Sequence, residues 1–150
     1  MRQFRIFLSV LPALLLSLAS TTAYAHRVEA ENAQGVTIYY NYKYTDNGTE
    51  LEVTYRGSSS YSQYNEYSGE VVIPESVTYN GTTYPVTGID FSAFAESDVS
   101  SVTIPSTVTD IGYGSFSGCA KLTGVDIPNT VTIHLRAKLF SIAASWSPSP

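Results

Sequence analysis

One octet is written twice in this chain. Val102-Thr103-Ile104-Pro105-Ser106-Thr107-Val108-Thr109 recurs as Val125-Asp126-Ile127-Pro128-Asn129-Thr130-Val131-Thr132, and the two prolines stand 23 positions apart. A fixed period of that length is the signature of a solenoid, in which each unit is too small to bury its own apolar side chains and relies on stacked neighbours. A third, imperfect copy opens at Val71-Val72-Ile73-Pro74, with Pro74 31 positions before Pro105. The surplus falls between Tyr79 and Val86, where Tyr79-Asn80-Gly81-Thr82 carries the turn chemistry of a short hairpin. Looping a hairpin out of a solenoid costs little, because closure entropy grows only with the logarithm of length. With it set aside, Val77, Ile89, Phe94, Val99, Val102 and Ile104 align with Val108, Ile111, Phe116, Leu122, Val125 and Ile127. The first copy is one residue short between Phe94 and Val99, opposite Gly118-Cys119 in the second.

Upstream of the repeats the chain is rich in tyrosine and alternates with period two. Val36, Ile38, Tyr40, Tyr42 and Tyr44 share one face, and Thr37, Tyr39, Asn41 and Lys43 the other. Asp46-Asn47-Gly48 then offers a hairpin corner before Leu51, Val53 and Tyr55 resume the alternation. Residues 56–69 lack periodicity and read as a long loop. Asn47-Gly48-Thr49 and Asn80-Gly81-Thr82 match the N-glycosylation pattern, but Asn-Gly is also the sterically favoured hairpin corner, and the turn reading is preferred.

The first 25 residues read as an export signal: Arg2 and Arg5, an apolar run over 6–18, and Ala23-Tyr24-Ala25 as a small-x-small cleavage site. The apolar run is short for a membrane span, so a retained anchor is the lesser reading. Of eight basic residues, six follow residue 25 and face thirteen acids, a net charge of −7 for residues 26–150. That sign, with no basic cluster, argues against nucleic acid as a partner. Cys119 is the single cysteine, so no disulfide closes within the chain.

The pattern I-P-x-x-V-x-x-I-G-x-x-x-F-x-x-C-x-x-L-x-x-V-x-I-P is carried by Ile104, Pro105, Val108, Ile111, Gly112, Phe116, Cys119, Leu122, Val125, Ile127 and Pro128. It resembles the BspA-type leucine-rich repeat of bacterial surface proteins. The first copy departs from it at Asp90, in place of glycine, and has no cysteine. The resemblance implies a mainly β chain: a tyrosine-rich β-hairpin leader over 26–70, then a short leucine-rich-repeat solenoid of about two 23-residue repeats over 71–132. Strands at 71–73, 102–104 and 125–127 would stack into one parallel sheet. Residues 133–150 break the register. They are expected to be either a capping helix, with Leu135, Leu139, Ile142 and Trp146 at helical spacing, or the product of an interrupted reading frame.

Catalytic chemistry is sparse. Cys119 needs a base to become a nucleophile, yet its repeat position is inward and apolar, where cysteine packs as a small hydrophobe. Asp98 and Asp110 are acids of the kind glycosidases pair, but scattered acids on a solenoid are ordinarily solvated surface. No set of residues has metal-ligand spacing, and neither a metal nor a cofactor is expected. Binding remains. The outward strand positions Glu70, Val72, Ser101, Thr103, Gly124 and Asp126 would line the concave face, and Tyr39, Tyr61, Tyr64 and Tyr67 supply the aromatic surface. Tyr39, Tyr61, Tyr64, Tyr67, Thr103 and Asp126 are therefore the candidate binding residues. The resemblance implies an exported or cell-surface protein that adheres to an extracellular protein. The alternatives are a carbohydrate-binding module built on the tyrosine-rich leader and a functionless fragment of a longer array.

Overall fold

A computed structural model describes residues 26–56 and 67–132. The export signal, Tyr61, Tyr64 and the 133–150 segment lie outside the described residues. Nine strands follow in order: β1 (Val28–Glu31), β2 (Thr37–Thr45), β3 (Gly48–Thr54), β4 (Ser68–Val72), β5 (Ser76–Tyr79), β6 (Thr82–Ile89), β7 (Asp98–Thr103), β8 (Asp110–Ile111) and β9 (Gly124–Asp126). The described residues contain no helix.

Both expected hairpins form. β2 and β3 pair antiparallel from Tyr39↔Thr54 to Thr45↔Gly48, with Gly48 at φ 120°. β5 and β6 pair antiparallel across Asn80-Gly81, which take φ of 50° and 79°. Two successive positive φ values are what a tight hairpin matching strand twist needs, and Asn-Gly reaches them at low cost. The inserted hairpin folds against the leader, where Tyr84 meets Tyr42 edge-on at 5.6 Å between ring centroids.

The repeats build a parallel sheet ordered β4-β7-β9, as the repeated octet implies. Its register aligns Val71, Val102 and Val125 in one inward column, with relative exposures of 1%, 2% and 9%. The neighbouring positions point the other way, because side chains alternate along a strand. They form the rows Glu70–Ser101–Gly124 and Val72–Thr103–Asp126.

A second sheet is ordered β1-β2-β3-β6-β5, with β8 also pairing β6. Here β3, β6 and β8 run parallel, and Val53, Ile89 and Ile111 form a column across them. The leader is thus more than a hairpin set before the solenoid, because its strand β3 occupies a coil position in the stack. The expected leader–repeat boundary at 70/71 falls inside β4. A ring column joins the sheets: Tyr67 lies 4.7 Å from Phe94, and Phe94 stacks on Phe116 at 5.4 Å with planes 6° apart. The turns hydrogen-bond from coil to coil, with the Ser92, Phe94 and Glu96 amides donating to the Tyr113, Ser115 and Ser117 carbonyls. Asn32 ties the sheets at the other end. Its side chain accepts from the Gln34 and Val36 amides and donates to the Val72 carbonyl at 2.9 Å.

The length difference between the copies sits slightly later than expected. Ser97 lies beside Cys119, with 3.6 Å between Oγ and Sγ, and therefore fills the cysteine position of the first copy. Asp98 pairs with Lys121, so the extra residue of the second copy is Ala120, after the cysteine rather than around Gly118-Cys119.

Candidate binding surfaces

The outward face of the parallel sheet is where the sequence placed it. Thr103 and Asp126 are exposed, adjacent in register, and joined by Glu70 at the next row. The face is small-chained and acidic, and no aromatic side chain stands in its two rows.

The aromatic surface is elsewhere than expected. Tyr39 is 6% exposed and Tyr67 2% exposed, so neither offers a ring to a ligand. The Tyr67 hydroxyl donates to the Thr54 carbonyl at 2.7 Å and accepts from the Tyr39 amide at 3.0 Å. Tyr39 packs between the rings of His26 and Tyr67, at 4.7 and 5.7 Å, with the Arg56 guanidinium 6.0 Å from its centroid. The cause is burial of both faces of β2 near its start. Ile38 and Tyr40 pack on one side, while Tyr67 and His26 cover the other. Burial holds the Tyr40 and Tyr67 phenols well above their ordinary range.

The exposed rings lie where β2 runs past that cover. Tyr44 is 78% exposed and stands 6.4 Å from Tyr42, which Tyr84 braces. A second group follows the coil stack. Two residues after Val53, Ile89 and Ile111 come Tyr55, Phe91 and Tyr113. Phe91 and Tyr113, 43% and 50% exposed, stack at 6.0 Å with planes 13° apart. The sequence did carry a signal for this pair: an aromatic at the same place in both copies, outside the apolar core positions.

The acids that sequence reading offered for glycosidase chemistry are not brought together. Asp98 opens β7 and pairs with Lys121 at 2.9 Å, whereas Asp110 belongs to the other sheet and pairs with Lys43 at 2.6 Å. The acid with an unusual environment is Glu52, on the row Glu52–Gly88–Asp110. Burial, with Asp90 second, pushes its carboxyl up to about 7 against the opposing pull of Lys43. Cys119 is 1% exposed and donates its S–H to the Phe94 carbonyl at 3.0 Å. Burial raises its thiol pKa, the reverse of what a nucleophile requires. Among the described residues no three His, Cys, Asp or Glu side chains gather as a metal ion would need.

The family model for the BspA type leucine rich repeat region (6 copies) matches residues 87–143. The match starts in β6 and runs past Thr132 into the stretch read as a non-repeat tail. Among solved structures, a leucine-rich repeat protein from Bacteroides ovatus is 32% identical over 61% of this chain and 23% of its own, with a TM-score of 0.49. A leucine rich cell surface protein from Faecalibacterium prausnitzii is 24% identical over 69% of this chain and 24% of its own, with a TM-score of 0.47. A leucine-rich repeat protein from Bacteroides capillosus is 28% identical over 67% and 65%, with a TM-score of 0.46. The chain spans about a quarter of the length of the first two. No curated protein matches it. The chain carries a BspA-type leucine-rich repeat region.

Proposed function

We propose that this is an exported leucine-rich-repeat protein that binds an extracellular protein at a bacterial surface, through the outward face of β4, β7 and β9. The observation that supports this reading most is the register of that sheet. It sets Thr103 beside Asp126 and Ser101 beside Glu70 in two outward polar rows, with the matching valines turned inward. A rigid sheet of this kind presents side chains at fixed spacing, and little ordering entropy opposes binding to it. Its lack of aromatic or arginine anchors points to weak, rim-like contacts whose strength rises with the number of coils.

The test is binding of the purified protein to immobilised extracellular matrix proteins and to whole bacterial cells, beside Thr103→Arg and Asp126→Lys. Loss of binding in both variants, with thermal stability unchanged, is the expected result. Undiminished binding in both, or binding to polysaccharide with none to protein, overturns the reading.

A further inference from the structure

The dipeptide Asn-Gly stands at both hairpin corners, as Asn47-Gly48 and Asn80-Gly81, and all four residues are exposed. This pair carries a reactivity of its own. Glycine has no Cβ to shield its backbone nitrogen. That nitrogen can therefore attack the carboxamide carbon of the asparagine before it and close a five-membered ring. In an unfolded chain the two pairs are equivalent, so any difference between them comes from the turns.

The two corners use the pair differently. A tight turn of four residues is closed by a bond from the amide of the fourth to the carbonyl of the first. β2 and β3 close on Thr45↔Gly48, so Gly48 is the fourth residue and its amide is the one that closes the turn. The Thr45 hydroxyl also accepts from the Asn47 amide at 3.2 Å, which ties the asparagine back to the strand. β5 and β6 close on Tyr79↔Thr82, so Asn80 and Gly81 are the two middle residues. There the closing amide belongs to Thr82, and the Gly81 nitrogen lies outside the closing bond. The Thr78–Thr83 hydroxyl pair, at 2.8 Å, braces the strands one residue pair further back. Asn80 and Gly81 take φ of 50° and 79°, and the space where a Gly81 Cβ would stand holds nothing within 4 Å.

We propose that Asn80 is a site of spontaneous modification in the folded protein, and that the turn protects Asn47. The Gly81 nitrogen bonds to the Asn80 Cγ, the Cγ–N bond of the carboxamide breaks, and the Gly81 amide proton leaves with that group as ammonia. Water then opens the cyclic imide at either carbonyl, which leaves aspartate or isoaspartate at position 80. Either product adds a negative charge to an acidic chain. Isoaspartate also lengthens the backbone by one carbon in a corner of two residues. The pairing of Val77 with Tyr84 lies just behind that corner, and Tyr84 is the ring that meets Tyr42. Modification therefore loosens the inserted hairpin from the leader as the protein ages. The parallel-sheet face of the preceding section takes no part in it.

The experiment holds the purified protein at neutral and at mildly alkaline pH, folded and in urea. Peptides spanning each corner are followed by mass spectrometry, and isoaspartate is separated from aspartate by retention. In urea the two asparagines are expected to convert at similar rates. In the folded protein Asn80 is expected to convert at least tenfold faster than Asn47. Its rate should rise with pH, because the attacking nitrogen must lose its proton. Equal rates in the folded protein, or a faster Asn47, would overturn the proposal. So would an unchanged Asn80 over the time in which the chain in urea converts.

Discussion

At Gly112 the backbone of the preceding coil leaves no room for a Cβ, and replacing it with alanine is the sharpest test of the stack. A Cβ there would lie 2.5 Å from the Phe91 nitrogen, 2.7 Å from the Asp90 carbonyl carbon and 2.9 Å from the Phe91 Cα. All three are backbone atoms of the preceding coil, so no side chain can rotate out of the way. Ordinary carbon contacts begin near 3.5 Å, so the coils must part by about 1 Å. The Gly112 amide now donates to the Ile89 carbonyl at 2.7 Å. A separation of about 1 Å stretches that bond beyond useful range, at a cost of about 1 kcal/mol. The strain of overpacking adds about 1–3 kcal/mol. Reduced freedom of the unfolded chain returns about 0.4–1 kcal/mol, because Gly112 does not need a positive φ. The net expectation for Gly112→Ala is a loss of about 2–3 kcal/mol.

Gly124 makes the control. A Cβ at Gly124 meets nothing within 4 Å, so Gly124→Ala is expected to stay within about 0.5 kcal/mol of the unaltered protein. Urea unfolding followed by far-ultraviolet circular dichroism gives both values. If Gly112→Ala unfolds at the same urea concentration as Gly124→Ala, coil contact at that position is not what holds the stack together.

Three further outcomes follow from the same geometry. Phe116, fully buried and stacked on Phe94, is expected to cost about 3–5 kcal/mol as Phe116→Ala, and a loss below 1 kcal/mol in urea unfolding would contradict its place in the ring column. Glu96 adopts φ 57° where the next coil has Gly118 at 72°, so Glu96→Gly relieves left-handed strain of about 1–2 kcal/mol against an entropy cost of about 0.5–1. A small rise in melting temperature is expected, and a fall of several degrees would show that the Glu96 side chain is needed for more than its backbone costs. Glu52 has its folded carboxyl pKa raised, so between the ordinary carboxyl range and about pH 7 the folded state holds a proton that the unfolded chain releases. Its contribution to stability therefore falls as pH rises through that window. Glu52→Gln should raise the melting temperature relative to the unaltered protein more at pH 8 than at pH 5, and an equal difference at both would refute the assignment.

What was legible in the sequence was whatever repeats locally. Val71, Val102 and Val125 could be placed inward because alternation within each short strand puts them there, and the structure stacks them in one column. Asn80-Gly81 named its own hairpin by steric preference alone. What was not legible depends on contacts distant in sequence. Tyr39 looks like a solvent-facing residue on the alternation of β2, and its burial comes from Tyr67, 28 positions on. The exposed tyrosine of β2 proved to be Tyr44, on the face it shares with Ile38 and Tyr40, because that face outruns its cover toward the hairpin turn. The parallel pairing of β3 with β6 has no local signature at all, since a strand of a hairpin and a rung of a solenoid share the same period of two.

That hidden pairing changes what the array is. Among the described residues two units carry the motif, and two units alone fall short of the roughly three that a solenoid ordinarily needs. Three inward columns among the described residues nevertheless have three members each: Val53, Ile89 and Ile111; Val71, Val102 and Val125; Tyr67, Phe94 and Phe116. The leader supplies the first member of the Val53 column from β3 and, with Tyr67, the first ring. It does the work of a coil without the repeat's sequence, because a column asks only for an apolar side chain at the right height. The antiparallel strands β1 and β2 then cover the outer edge of β3, which would otherwise present unpaired backbone groups to solvent. A tyrosine-rich hairpin suits that position, since its buried rings, Tyr39 and Tyr40, extend the core while Tyr42 packs against Tyr84 at its margin.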